Sequence, residues 1–171
     1  MILKMENVIK RYGKHLALDY LSLEVNKGEV IGLLGPNGAG KTTCIKSVVG
    51  LLPIDEGEIA VFNMKHEVAS KEIRSKIGYV TQEITIYEDM TAKENLAFFG
   101  SLYGLPKKAL EERITEVAQI IGLEDRLNER PSKFSGGMKR RLNIGCSILH
   151  RPQLLIMDEP TVGIDPQSRN Y

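Results

Sequence analysis

Apolar and polar positions change rhythm three times along the chain. Residues 2–8 alternate as a half-exposed strand does, and residues 18–25 repeat the pattern after a turn at Gly13-Lys14, which predicts two antiparallel strands. Residues 30–34 are a continuous apolar run, the pattern of a buried strand. A helix is expected over 41–49, closed by Gly50, then a short strand over 58–62 after a turn at 53–57, a short helix over 70–76 and a strand over 77–81. From Thr91 to His150 the rhythm becomes helical. Thr91 and Glu94 have the spacing of a capping box, and Pro106 opens a helix to Ile121 with Leu110, Ile114, Val117 and Ile121 on one face. That stripe is read as packing. Residues 154–157 then form an apolar strand, expected to be buried on both faces as in a parallel sheet, and Asp158 and Glu159 end it.

Length and composition narrow the class. The 171 residues suit one domain, or one domain with an inserted subdomain, and 42% hydrophobic with 26% charged residues is ordinary for a globular protein. A net charge of +1 argues against a nucleic-acid binder working through a strongly basic face, so no nucleic-acid partner is expected. Cys44 and Cys146 are far apart, without the spacing of a metal site or a disulfide framework. No run reaches the ~18 apolar residues of a membrane span, and residues 1–10 lack the apolar centre of a signal peptide. Any membrane role is expected to be peripheral.

The chemistry concentrates in Gly35, Pro36, Asn37, Gly38, Ala39, Gly40, Lys41, Thr42 and Thr43, which fit G-x-x-x-x-G-K-[ST] without a mismatch. Between a strand pattern and a helix pattern, such a glycine-rich loop can turn successive N–H groups toward an anion, and the helix start adds its positive end. A phosphate chain is the expected occupant. Lys41 would reach its outer phosphates and the Thr42 hydroxyl would hold Mg²⁺. Upstream, Tyr12 stands between cations and Gly13, where an exposed ring can stack on an adenine. Gln82 directly follows a strand, where a neutral amide can ligate Mg²⁺ or hold a water. Ser135 is a good N-cap, and Gly136 and Gly137 leave helix-start N–H groups uncovered for a second anion. The following Lys139, Arg140 and Arg141 read, in isolation, as a solvated face. Asp158 is placed to hold Mg²⁺ through its water shell, and Glu159 to accept a proton from an attacking water.

The phosphate loop, Gln82, Phe-Ser-Gly-Gly-Met at 134–138, Leu-Leu-Ile-Met-Asp-Glu-Pro at 154–160 and Gly163-Ile164-Asp165 occur in the order found in ATP-binding cassette (ABC) ATPases. The chain resembles the nucleotide-binding subunit of an ABC transporter over essentially its whole length, most closely bacterial exporters of the drug-resistance and sodium-extrusion type. The resemblance implies an α/β fold: a P-loop NTPase core with a parallel sheet, an antiparallel β subdomain and an inserted α-helical subdomain. It implies a core over 1–84, a helical subdomain over 85–150, and the Walker B strand and D-loop over 151–171. It further implies a Walker A loop at Gly35 to Thr43, adenine stacking by Tyr12, and a Q-loop glutamine at Gln82 that serves catalysis and the metal. The signature motif would be Ser135, Gly136, Gly137 and Met138, the Walker B aspartate Asp158, the catalytic base Glu159 and the D-loop residue Asp165. The cofactors implied are ATP and Mg²⁺, with metal contacts at Thr42, Gln82 and Asp158. Implied partners are a transmembrane permease subunit and a second nucleotide-binding subunit, in a homodimer or heterodimer at the cytoplasmic face of the membrane. Each signature motif would act on the ATP held by the other subunit.

Two departures from the family pattern stand out. Met138 replaces the usual glutamine, and the switch histidine that follows the Walker B strand by about thirty residues in the family has no counterpart. His15, His66 and His150 all precede Asp158 and are read as surface or packing residues. The resemblance therefore implies a C-terminal part beyond Tyr171 that carries a further central strand. The alternative is a soluble ABC-type ATPase acting in translation or DNA maintenance. A DNA-maintenance ATPase would carry long coiled-coil insertions between Gln82 and Ser135, a GTPase would need Asn-Lys-x-Asp, and a non-catalytic regulator has no call for intact Lys41, Asp158 and Glu159.

Overall fold

The computed structural model describes residues 1–66 and 71–159, which fall into two compact units, Met1–Ile77 and the unit from Gly78 onward. The first is built on an antiparallel sheet. Strand β1 (Leu3–Tyr12) pairs with β2 (His15–Val25), with Leu3 opposite Val25 and Tyr12 opposite His15 across the Gly13-Lys14 turn. On its other side β1 pairs with β3 (Glu56–Val61), which continues into β4 (Met64–Lys65), giving the order β2-β1-β3-β4. Phe62 and Asn63 both have positive φ, as a tight two-residue hairpin turn requires.

The alternation read along β1 breaks at Asn7. A left-handed φ of 49° and a shift in register at this point reset the strand's phase, so that Leu3, Met5, Val8 and Ile9 are all buried. Helix α1 (Lys41–Val48) buries Cys44, Ile45 and Val48, with the Cys44 sulfur 3.8 Å from that of Met5. Residues 30–34 correct the sequence reading. They form no strand, and Val30 and Leu34 are 99% and 95% exposed. An apolar run holds as a strand only where neighbours satisfy its backbone groups, and among the described residues no strand pairs with it. The expected helix over 70–76 is reduced to one turn, α2 (Lys71–Arg74), and Ser70 lies outside the described residues.

The second unit packs α3 (Ala92–Leu102), α4 (Lys107–Ile120) and α5 (Gly136–Ile148) around one apolar core. Thr91 and Glu94 close the expected capping box, each side chain bonded to the other's backbone N–H. Leu110, Ile114, Val117 and Ile121 are buried together with Leu96, Leu142 and Leu149, so the stripe on α4 is packing. Beside these helices β5 (Ile77–Val80) pairs with β6 (Leu154–Met157). Asp158 N–H donates to the Val80 carbonyl at 2.9 Å, so the carboxyl ends of the two strands meet and the strands run parallel. Gly78 is where β5 meets α5, since a Cβ there would lie 2.6 Å from the Ser147 carbonyl oxygen. The double burial expected of β6 is a second correction. Leu155 and Met157 are exposed while Leu154 and Ile156 are half-buried, because among the described residues β6 pairs with β5 and nothing covers one of its faces.

Candidate functional site

In the first unit the glycine loop runs straight into α1. Gly40 is the N-cap, with φ 82°, and a Cβ there would collide with the Ala17 carbonyl, so both conformation and space demand glycine. Among the described residues no side chain caps the helix. Its amino end is therefore open to an anion that accepts from the first-turn N–H groups. Lys41 Nζ donates to the carbonyls of Gly35 at 2.9 Å and Pro36 at 3.0 Å, which holds the ammonium over the loop it would share with a phosphate. The loop from Gly35 to Ala39 is exposed, and Thr42 and Thr43 are half-buried. Tyr12 ends β1 with half its surface (49%) exposed. The neighbouring backbone is fixed by Asp55, which accepts from Lys10 Nζ at 2.9 Å and from Arg11 N–H at 2.6 Å.

In the second unit the two strand ends bring Gln82 and Glu159 together. Gln82 Nε2 donates to Glu159 Oε2 at 3.0 Å, across 77 positions of sequence. Glu159 has a φ of 47°, a left-handed conformation that a glutamate holds only at a cost of about 1–3 kcal/mol. Asp158, just before it, is 3% exposed, and its charge adds to burial in raising the pKa of Tyr79. Among the described residues no three His, Cys, Asp or Glu side chains cluster as a metal cage.

The signature residues begin α5. Ser135 Oγ accepts from Met138 N–H at 3.2 Å, as an N-cap does, while Gly136 and Gly137 form the first turn. Met138 is partly buried against the helical core, where its apolar side chain is at home. The solvated-face reading of Lys139 to Arg141 fails at Arg140, whereas Arg141 remains exposed. Lys139 pairs with Glu88, and Arg141 Nη1 donates to the carbonyls of Ile121 and Gly122 at 2.9 and 3.1 Å, capping the end of α4. Arg140 is 1% exposed and donates to main-chain carbonyls beyond both β5 and β6. Sequence reasoning missed it. Helical phase was the available signal, because Arg140, Asn143 and Ser147 fall on one face of α5 and each bonds to the segment 79–85. Asp165 lies outside the described residues.

The fold and these motifs define a P-loop nucleotide-binding class. Residues 18–162 match the family model described as ABC transporter, and the chain belongs to that family. It is 49% identical over 170 residues to the linearmycin resistance ATP-binding protein LnrL of Bacillus subtilis, covering 99% of this chain and 55% of the relative. It is 44% identical over 168 residues to the Nod factor export ATP-binding protein I of Sinorhizobium fredii, covering 98% of this chain and 49% of that one. The chain thus spans about half the length of the curated relatives it matches. Among solved structures it resembles the dimeric post-hydrolysis state of the ATP-binding cassette MJ0796 bound to ADP and Pi, with a TM-score of 0.83 and 27% identity over 98% of this chain and 78% of that one. The fold is accordingly the α/β fold of ABC ATPase domains.

Proposed function

We propose that the protein carrying this chain is the ATP-binding and ATP-hydrolysing subunit of an ABC exporter. The observation that carries this reading is the glycine loop ending in an uncapped α1, with Lys41 held over the loop. In this reading Tyr12 stacks on adenine, and Gly35, Pro36, Asn37, Gly38, Ala39 and Gly40 wrap the phosphates. Lys41 and Thr43 bind the phosphates too. Thr42, Asp158 and Gln82 would hold Mg²⁺, which would supply positive charge against the phosphates. Glu159 takes a proton from the water whose oxygen bonds to the γ-phosphorus as the bond to the β–γ bridging oxygen breaks. Gln82 orients that carboxylate.

Ser135, Gly136, Gly137 and Met138 would complete the site of a second subunit, alike or different, with Asp165 in the contact between the two. Closure on ATP and reopening after hydrolysis would then drive a permease subunit docked near Gln82 and the helical subdomain. The protein would sit peripherally at the cytoplasmic face of the membrane. Among the described residues no helix is long and apolar enough to cross a membrane. Relatives whose names state antibiotic resistance or export favour this reading over a soluble ATPase of translation or DNA maintenance. Calorimetry tests the phosphate loop. Lys41→Ala in the full-length protein should weaken Mg-ATP binding at least ~10-fold, because the outer phosphates lose a charge-assisted donor worth about 1.5–3 kcal/mol. Unchanged affinity would refute the assignment.

A further inference from the structure

We infer that Arg140 is a positioning residue that ties the signature helix to Glu159 and Gln82, so that the state of the signature turn sets the geometry at the water-activating base. The inference rests on the reading of Glu159 as that base. Arg140 lies one turn into α5, whose first residues are the signature glycines, yet its guanidinium points away from solvent and into the end of the parallel sheet. Nη1 donates to the carbonyls of Thr81 at 2.6 Å and Gln82 at 3.1 Å, and Nη2 to those of Asp158 and Glu159, both at 3.3 Å. One planar fork therefore serves the two residues that follow β5 and the two that follow β6. No other side-chain type offers rigid donors spread over that width.

The same helix face holds the rest of the segment. Asn143 Oδ1 accepts from Thr85 N–H at 3.2 Å and from its hydroxyl at 3.1 Å, and Ser147 Oγ bonds to the Tyr79 carbonyl at 3.1 Å. Residues 79–85 thus ride on α5, and Arg140 extends the hold to Glu159. Burial works against the guanidinium's charge and Asp158 works for it, in that order of size. The guanidinium, with Asp158 and four main-chain carbonyls around it, is committed to the two strand ends. Holding a left-handed Glu159 against Gln82 gives it a use.

The test compares Arg140→Ala, Arg140→Gln and Arg140→Lys with Arg113→Ala in the full-length protein. Arg113 is a matched control at the other end of α5, where its guanidinium donates to the carbonyls of Leu149 and Ile148 at 2.9 and 2.7 Å. Mg-ATP affinity, kcat, KM and melting temperature are measured for each. Arg140→Ala and Arg140→Gln should lower kcat about 10- to 100-fold at nearly unchanged ATP affinity, the scale expected when a catalytic group is misplaced by about 1 Å. Arg140→Lys should recover part of kcat, since an ammonium keeps the charge but cannot span both strand ends. Arg113→Ala should lower the melting temperature and leave kcat within about twofold. If Arg140→Ala does not fold, the glutamine and lysine variants decide. Wild-type kcat in the Arg140 variants, or loss matched by Arg113→Ala, overturns the inference alone. Wild-type kcat in Glu159→Gln overturns the reading of the base on which it rests.

Discussion

Replacing Glu159 by glutamine separates chemistry from binding with little change of shape. Glutamine keeps a side-chain oxygen where Glu159 Oε2 accepts the 3.0 Å hydrogen bond from Gln82, so that contact survives as a neutral bond. Exchanging a charged acceptor for a neutral one loses roughly 1 kcal/mol in that contact. The backbone term cancels, because residue 159 has the same positive φ to adopt with either side chain. What disappears is the ability to take a proton. General-base assistance is worth about 10²- to 10⁴-fold, or about 2.7–5.4 kcal/mol in the barrier, and that loss dominates. Glu159→Gln in the full-length protein should therefore lower phosphate release at saturating Mg-ATP by about 10²- to 10⁴-fold. ATP affinity by calorimetry should change by no more than about fivefold, the equivalent of ~1 kcal/mol. A kcat within about threefold of wild type, less than any general base contributes, would show that another group activates the water.

Thr91→Ala removes one half of the capping box on α3, and denaturant unfolding should report a loss of about 0.5–2 kcal/mol. Burial pushes the thiols of Cys44 and Cys146 up to about 11 and about 12, from an ordinary 9.0. Above pH 9 the unfolded chain therefore binds fewer protons than the native one, so stability falls as pH rises from about 9 to 11. Urea midpoints at about pH 8 and 10 should show that decline, and the double variant Cys44→Ala, Cys146→Ala a shallower one.

The local geometry of the candidate site was legible wherever a local rule sufficed. The glycine loop, the Thr91 capping box, the Ser135 N-cap and the α4 stripe each depend on residues within one or two turns of each other, and each stands where the spacing placed it. Residues 30–34 and 154–157 show the limit of that logic. Apolar runs state what a strand needs, whereas burial depends on neighbours, and among the described residues one run is unpaired and the other half-covered. Arg140 shows another limit. A basic triplet reads as a solvated face until the helix phase and the positions of four distant carbonyls are known, and these bring together positions up to 59 residues apart. The contact between Gln82 and Glu159 was equally out of reach, because only pairing of β5 with β6 brings the two residues together.

In the proposed function the phosphate loop of one subunit and the signature turn of another act on one ATP. The most direct test is the mass of the full-length Glu159→Gln protein measured by light scattering, with and without Mg-ATP. A monomer is expected that doubles in mass when Mg-ATP is added, and loses that response when Ser135→Arg is added, while each subunit still binds ATP. A mass that ignores Mg-ATP in a protein shown by calorimetry to bind it, or doubling that survives Ser135→Arg, would rule out an ATP shared between two subunits.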